Sequence, residues 1–424
     1  MDQFPKGVQN IFSFPLIEAL FGRRSRRFSL GASIPDGPLK FKSKHAAVPL
    51  SELEQMILLV AAAGNSGWHN MIPYSTKTDP HMPNYSNGAG GRTFPSAAGW
   101  QTSEIFYTDD HGVYFFSTRD APALLHGTLS DESALKSYLE AHRKRIRKIS
   151  DKRLDLPPKE PYITAHNHWS MNTPGSTIII PVADLAQHFL SLLCWTVTNG
   201  YCLYDDINNR PIPGLERFGH FVDVKNPWPM TFVEQFAMTE TSAELATSCY
   251  AGMLMLQALG LGGWMHDGMN KLAVLGAFKE EGVQGLGFDC ERDPRWSMPN
   301  SLGLPGVFET FCPPYYPTMR AALDALIERK FGKGGPMNAK TEGPWKDSKH
   351  VRGDAAAYTV EFKECVALIA QYIYDTFGKI PPTAPTSLIA TYLQAHHLDL
   401  DFYDHYYKPG AYLHTHKEHM REWH

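Results

Sequence analysis

The sequence predicts a globular chain of mixed helices and strands, and three observations lead to that class. Hydrophobic residues make up 43% and charged residues 20% of the 424 residues, a composition that excludes a largely disordered protein. Apolar residues recur at helical spacing in several segments, while short apolar runs flank turn residues in others. At about 150 residues per domain, the length corresponds to about two or three domains.

The N-terminal part predicts a helix, a loop and a second helix. Residues 15–21 are apolar enough for a helix that ends near Gly22. The second helix has Ser51 as its N-cap and Glu54 three residues later, in capping-box position. Its apolar positions share one helical face until Gly64, so the helix is expected to end there.

After this helix the pattern turns to strands and then returns to helices. Asp109, Asp110 and His111 separate two short apolar runs and favour a hairpin. The expected elements are strands over 104–108 and 112–117, a charged helix within 131–153, a buried helix within 176–198 after Pro181, a helix over 242–259, a strand near 306–311, a helix over 319–331, a polar linker over 333–353 and a helix over 355–377.

The net charge limits the classes of partner that the protein is expected to bind, and the cysteine pattern indicates the cellular compartment. The net charge of −4 argues against a protein that coats nucleic acid or anionic membrane. The basic run near 143–153 favours a solvated helix face over a nucleic-acid or anion patch. Six cysteines without CxxC spacing are typical of reduced thiols. Since no signal-peptide pattern opens the sequence and its apolar stretches are interrupted or short, we expect a cytoplasmic protein without membrane spans.

The first candidate site is the run Arg23, Arg24, Ser25, Arg26 and Arg27. Guanidinium groups bind phosphate oxygens through paired hydrogen bonds, and a serine hydroxyl donates one more. The run therefore suits an anion, and the alternative is a solvated basic turn.

Two glycine-rich segments are the other candidates. Residues 64–70 offer small side chains for the close approach of a flat ligand, and Asn70 is both donor and acceptor. Residues 259–268 follow a predicted helix, so their glycines do not form a dinucleotide-binding fingerprint, which should follow a strand. The alternative in both cases is an ordinary helix end, followed by a loop or a closely packed strand.

Taken in order, the three segments resemble the nitroreductase-like flavoenzymes. The family's R-x-S-x-R, A-x-P-S-x-x-N-x-x-P and L-G elements correspond to residues 23–27, 62–73 and 259–268. Residues 90–97 and the hairpin after them also resemble one branch of that family, the dehydrogenases that oxidise azolines in peptide natural products.

The resemblance implies an α+β sandwich, with a central, mostly antiparallel sheet flanked by helices, in a homodimer with FMN at its interface. It also implies an oxidoreductase that transfers a hydride through flavin N5 between NAD(P)H or another donor and a small-molecule or peptide substrate. His266 and Asp267 are the implied catalytic residues, mainly through the backbone. The implied cofactor-binding residues are Arg23, Arg24, Ser25, Arg27, Ser66, Gly67, Trp68, Asn70, Met265, His266, Asp267, Gly268 and Arg320.

The resemblance further divides the chain into four segments. Residues 1–120 and 236–332 are expected to form the flavin domain, 121–235 an insertion, and 333–424 a linker with a helical, histidine-rich extension. Two alternatives stay open. One is a flavin-binding or degenerate scaffold that binds a protein partner, and the other is a flavin-consuming or dehalogenating enzyme of the same fold.

Histidines concentrate in the tail, since seven of the 19 lie in the last 29 residues. The spacing of His414, His416 and His419 is compatible with Zn²⁺, Cu²⁺ or Ni²⁺. A tail docked on the protein or on a second copy is favoured, so no metal site is predicted. The loop 166–169 is likewise expected to pack, with a pocket-lining role as the alternative.

Overall fold

Helices and strands alternate along the chain in the computed structural model, which describes residues 4–77, 83–121, 129 and 131–424. The helices are α1 (Gly7–Ser13), α2 (Leu16–Gly22), α3 (Glu52–Ala63), α4 (Glu132–Arg143), α5 (Leu185–Thr198), α6 (Met230–Leu259), α7 (Lys271–Leu275), α8 (Met319–Phe331), α9 (Ser348–Gly353), α10 (Val360–Phe377), α11 (Leu400–Tyr406) and α12 (His414–Trp423). The strands are β1 (Ser33–Ile34), β2 (Phe41–Lys42), β3 (Asn65–Trp68), β4 (Gly90–Arg92), β5 (Ser103–Asp109), β6 (Gly112–Phe116), β7 (Ile146–Ser150), β8 (Thr177–Asp184), β9 (Leu203–Asp205), β10 (Arg210–Pro211), β11 (Trp228–Pro229), β12 (Gly262–His266), β13 (Asp289–Glu291), β14 (Asn300–Leu304), β15 (Phe308–Glu309), β16 (Ser387–Leu388) and β17 (Tyr392–His396).

The largest sheet is antiparallel and has the order β12-β17-β8-β5-β6-β7, with β16 beside β8. The hairpin of β5 and β6 has Ile105 opposite Phe116 and Asp109 opposite Gly112. The expected mixture of helices with antiparallel sheet is therefore confirmed, and so is the hairpin.

The four predicted segments share this sheet. Strand β8, which lies in the middle of the sheet, comes from the predicted insertion, of which residues 122–128 and 130 lie outside the described part. Strand β17 comes from the predicted extension and pairs with both β8 and β12. The four-part division stays a prediction, and all four parts contribute strands to the largest sheet.

The two faces of the sheet build two hydrophobic clusters, because side chains alternate along each strand. Ile105, Ile179 and Leu393 pack with residues of α3 and α6 on one face. Phe106 and Ile178 lie on the other face, in a cluster that includes residues of α7 and β15. A third cluster lies among α5, α6, α8 and α10.

The apolar segment 176–198, predicted to contain a buried helix after Pro181, is β8 followed by α5. Its Ile-rich first half is buried on both faces of the sheet, so it lacks the alternation that identifies a half-exposed strand. Asp184 ends the strand and caps the helix, since its carboxylate accepts a hydrogen bond from the backbone N–H of Gln187 at 2.8 Å. The helix predicted after Pro181 was therefore wrong for 182–184 and is confirmed for 185–198.

Other predicted bounds also differ from the structure. The charged helix within 131–153 ends at Arg143, and the basic run continues into β7, which pairs with β6 at the edge of the sheet. Helix α6 begins 12 residues before the predicted start at 242 and is 30 residues long. The strand near 306–311 is limited to β15, and the polar linker contains α9.

Several local predictions are confirmed in detail. Ser51 and Glu54 form the capping box of α3, and α8 has the predicted bounds. Gly260 ends α6 with φ +77°, a left-handed conformation that glycine adopts without strain. All six cysteines are free, as expected of reduced thiols. Within the described ranges, the structure contains no helix whose length and apolar character would carry it through a bilayer.

Candidate functional site

The arginine-rich run lies directly beside β12, so the first and third candidate segments come together. The backbone N–H of Arg26 donates to the carbonyl of Gly263 at 3.2 Å, and Gly263 N–H donates back to Arg26 at 2.9 Å. Two segments that are more than 230 residues apart in sequence therefore form one antiparallel bridge. The sequence predicted both segments, and the structure shows their adjacency.

Arg26 anchors this arrangement. Its side chain is buried and donates to Gln257 Oε1 at 2.8 Å, to the Ala411 carbonyl at 2.9 Å and to the Gly22 carbonyl at 3.0 Å. Burial lowers the pKa of Arg26 to about 10, which leaves the guanidinium charged at neutral pH. Arg26 therefore joins the ends of α2 and α6 to the tail, and its hydrogen bonds inside the protein leave it little capacity for a ligand.

A cavity of about 480 Å³ opens at the arginine-rich run. Its wall combines positive charge with aromatic rings, a combination that suits a planar ligand with an anionic group. The lining residues are Arg24, Ser25, Arg26, Arg27, Phe28, Ile34, Leu39, Trp169, Phe402, Tyr403, Tyr407, Gly410 and Ala411. We call this space the arginine cavity.

The remaining predicted basic residues differ in their availability. Arg24 is exposed and donates to the carbonyls of Phe21 at 3.0 Å and of its neighbour Arg23 at 2.7 Å. Arg23 does not line the cavity. Arg320 lies on α8, in an exposed ion pair with Asp324 at 2.9 Å, and does not line the cavity either.

Arg27 forms the inner wall of the cavity. Its Nη2 donates to Asn167 Oδ1 at 2.5 Å and to Ser170 Oγ at 2.7 Å. Its guanidinium carbon lies 3.8 Å from the ring centroid of Trp264 and 5.1 Å from that of Trp169. Nε has no hydrogen-bond partner among the described residues, and burial lowers the pKa of the group. The protein therefore holds this cation in a fixed position at the cavity wall.

His266 lies behind this wall, on the same face of β12 as Trp264. Its ring centroid is 4.5 Å from that of Trp264 and 5.4 Å from that of Tyr392. Neither ring nitrogen has a hydrogen-bond partner in the described part of the chain. Burial, with the charge of Arg27, lowers the pKa of His266 to about 3, so its imidazole is neutral at physiological pH. Met265, between Trp264 and His266, packs on the opposite face of the sheet.

The end of the third segment is partly covered. Asp267 is exposed and pairs with Lys271 at 3.0 Å. The Gly268 carbonyl accepts from the Thr164 N–H at 3.1 Å, and a Cβ at Gly268 would lie 2.1 Å from Met171 Cε. The loop 164–171 therefore packs on the backbone that the family resemblance assigns to the flavin. This loop belongs to the predicted insertion and also supplies Trp169 to the arginine cavity.

The second candidate segment, residues 64–70, follows the C-terminal end of α3. Ser66, Gly67 and Trp68 belong to β3, which pairs with β4, and Ser66 Oγ donates to the Arg92 carbonyl at 3.0 Å. Asn70 is exposed just after β3. The N-terminal turn of α3 lies near the C-terminal end of α6, which leads into β12. The 12 residues of α3 span about 18 Å, and this length separates its N-terminal turn from residues 64–70. Within one chain, this segment therefore does not share the arginine cavity.

Several residues of the cavity were not predicted from the sequence. Phe402, Tyr403 and Tyr407 come from the tail, whose aromatic composition was the only local signal. A buried charged group near β5 was also missed. There, Arg119 Nη1 donates to Asp184 Oδ2 at 3.0 Å, while the backbone N–H of Arg119 donates to Glu104 Oε2 at 3.0 Å.

Comparison with models of protein families gives no match, and comparison with curated proteins gives none either. Among solved structures, a protein from Ralstonia eutropha JMP134 that is provisionally described as a nitroreductase aligns with 61% of this chain and 71% of its own. The sequence identity is 14% and the TM-score is 0.27. At this TM-score the likeness carries no argument about structure or function.

Proposed function

We propose that the chain is an FMN-dependent oxidoreductase whose arginine-rich run holds the phosphate of the cofactor. The observation that carries the proposal is the bridge between Arg26 and Gly263. It joins the two motifs that the family resemblance requires, and the arginine-rich run of this pair lines a cavity with arginine and aromatic walls.

The phosphate end of the site fits this cofactor. Arg24 and Ser25 are exposed at the cavity, and both can turn hydrogen-bond donors toward a dianion. Arg27 adds a positive charge that is held in a fixed position at the cavity wall, which favours an electron-rich, anionic cofactor. Trp169 and Tyr403 offer surfaces on which a flat ring system can pack. A bound flavin would supply the hydride carrier, while these residues bind and orient it.

One copy of the chain does not bring Asn70, the implied contact to the flavin ring, to the arginine cavity, because Asn70 lies beyond the C-terminal end of α3. A second copy could supply this segment. The apolar face of α2, directly before the arginine-rich run, is exposed and supports such a homodimer. NAD(P)H as donor and a small molecule or peptide as substrate complete the proposal.

The purified protein should show a flavin absorbance band, and the released chromophore should have the mass of FMN at about one per chain. Arg24→Ala should weaken FMN binding by about 10-fold to 100-fold, since it removes a charge-assisted contact. Arg147→Ala is the matched control, because it removes an exposed arginine from β7 whose hydrogen bond goes to the Gly306 carbonyl. Titration of the flavin-free protein with FMN measures all three affinities.

A protein that is colourless and fails to take up added FMN would contradict the cofactor assignment. Equal FMN affinity in the Arg24→Ala variant, the control and the unmodified protein would instead contradict the placement of the phosphate.

A flavin-binding protein without turnover is the second candidate, and the packing of loop 164–171 on Gly268 favours it. The two candidates differ in one measurement. Oxidation of NAD(P)H with a quinone or nitroaromatic acceptor is expected from the oxidoreductase, whereas a binding protein would hold FMN without this reaction.

A further inference from the structure

Three histidines of the tail and the buried carboxylate of Glu54 converge on one point. Glu54 lies in the first turn of α3 and is fully buried. Its Oε1 is 2.8 Å from Nε2 of His419, 3.3 Å from Nε2 of His397 and 3.4 Å from Nε2 of His424. The Nε2 atoms of His397 and His424 are 3.2 Å apart. All four potential ligand atoms lie within 4.8 Å of one another.

Three of these four distances match the edge of a tetrahedral metal site. With metal–ligand bonds of about 2.0–2.1 Å, neighbouring ligands of a tetrahedral zinc ion lie about 3.3 Å apart. The 3.2, 3.3 and 3.4 Å distances match this edge, and the 2.8 Å contact would lengthen slightly as an ion enters. No large movement of the backbone is needed.

Hydrogen bonds from the outer nitrogens of two histidines fix the orientation of their rings toward this point. His397 Nδ1 lies 2.9 Å from the Val48 carbonyl, and His419 Nδ1 lies 2.8 Å from the Leu259 carbonyl. A carbonyl accepts only, so each Nδ1 donates outward and each ring is held with its Nε2 directed inward. His419 is 3% exposed, and its Nε2 has no hydrogen-bond partner of acceptable geometry in the described chain.

The carboxylate of Glu54 is also held in a fixed orientation toward this point. Its Oε2 accepts the backbone N–H of Ser51 at 2.6 Å in the capping box, which leaves Oε1 directed at the histidines. Nε2 of His397, Nε2 of His419 and Oε1 of Glu54 thus face one another, an arrangement that a bound cation would satisfy.

We propose that Glu54, His397, His419 and His424 bind one divalent transition-metal ion of the zinc class. Three imidazole nitrogens and one carboxylate oxygen are ligands that Zn²⁺ prefers, and four protein ligands make a closed, structural site. The site uses His419 of the spacing noted in the sequence but neither His414, which is exposed, nor His416. His424 is 28% exposed and gives the ion a path of entry.

The ion ties the tail to the body of the protein. His397 follows β17, His419 lies within α12 and His424 directly after it. Glu54 lies in the first turn of α3. The segment between His397 and His419 also supplies Tyr403 and Tyr407 to the arginine cavity. The metal therefore fixes both ends of one cavity wall, and this role does not depend on which ligand the cavity binds.

The test measures zinc directly on the full chain. Metal analysis of the purified protein should find about one zinc ion per chain. After removal by a chelator, added Zn²⁺ should bind at one equivalent and raise the melting temperature. In the metal-free protein, Co²⁺ should give the visible absorption of a tetrahedral site.

Two variants and a control locate the ion. His424→Ala changes a residue outside the helices and strands, and Glu54→Gln keeps the capping oxygen of α3. Each should lower zinc affinity more than 100-fold, because loss of an outer-shell partner alone costs about 10-fold to 100-fold. His414→Ala, an exposed histidine of the same helix, should keep full zinc content. Absence of zinc binding in the unmodified protein, or equal binding by His424→Ala, would overturn the proposal.

Discussion

At the scale of single residues, the buried guanidinium of Arg119 is a charge that requires compensation by its neighbours. Its Nη1 contacts Asp184 at 3.0 Å, and Glu104 lies 3.8 Å from its Nε. Burial alone would lower the pKa of Arg119, but the two carboxylates raise it above its usual value. Arg119, in the loop after β6, thus contacts carboxylates of β5 and β8. Its positive charge compensates these two buried negative charges.

Arg119→Ala should lower the free energy of unfolding by about 3–5 kcal/mol, because it leaves buried carboxylates without their cation. Arg320→Ala removes an exposed ion pair of similar distance on α8 and should cost less than about 1 kcal/mol. Denaturant titration of both variants checks the difference. Equal losses would contradict the role of burial, and loss of FMN in Arg320→Ala would return that residue to the cofactor site.

At the scale of elements, the junction between α6 and α12 depends on a glycine. A Cβ at Gly260 would lie 2.2 Å from the Thr415 carbonyl oxygen, and Thr415 Oγ1 donates to the Gln257 carbonyl at 2.7 Å. The left-handed turn that ends α6 is therefore also the surface on which the tail helix begins. A local sequence feature thus fixes a contact across more than 150 residues.

Gly260→Ala should lower the free energy of unfolding by more than the cost of the left-handed backbone conformation alone. Gly282→Ala is the matched control, since that glycine has φ +83° but open space at its Cβ. The control should cost about 1–3 kcal/mol for the left-handed conformation, and Gly260→Ala about 1–3 kcal/mol more for the displaced tail. Thermal or denaturant unfolding gives both values. If the two variants lose the same stability, the tail does not press on Gly260.

The same elements show what the sequence could and could not predict. Capping chemistry at Ser51 and the turn at 109–111 are local signals, so α3 and the hairpin were predicted with nearly correct bounds. Strand β8 was missed because burial on both faces removes the periodicity that separates strand from helix. The arginine-rich run and β12 carry recognisable motifs. The cavity wall from Tyr403 could not be predicted, because contacts between distant segments leave no local pattern.

At the scale of the whole molecule, the exposed apolar side chains of α2 are the feature that one chain does not explain. Leu16, Ile17 and Phe21 are 68%, 66% and 75% exposed, and Leu20 adds a fourth apolar side chain. Large side chains that are exposed together on one short helix are typical of an interface. Because α2 leads directly into the arginine-rich run, pairing through it would bring the arginine cavities of two copies close to the interface.

The protein should therefore behave as a dimer, with a mass in light scattering of about twice 47.6 kDa. Ile17→Asp combined with Phe21→Asp places two charges on the apolar face and should yield a monomer, because burying unpaired carboxylates costs several kcal/mol. Met298→Asp with Val360→Asp is the control, since both residues are exposed and distant in sequence from α2. If a second copy completes the cofactor site, the monomer should also bind FMN more weakly than the control does. A monomeric unmodified protein would contradict the interface, and a monomeric variant with undiminished FMN affinity would confine the cofactor to one chain.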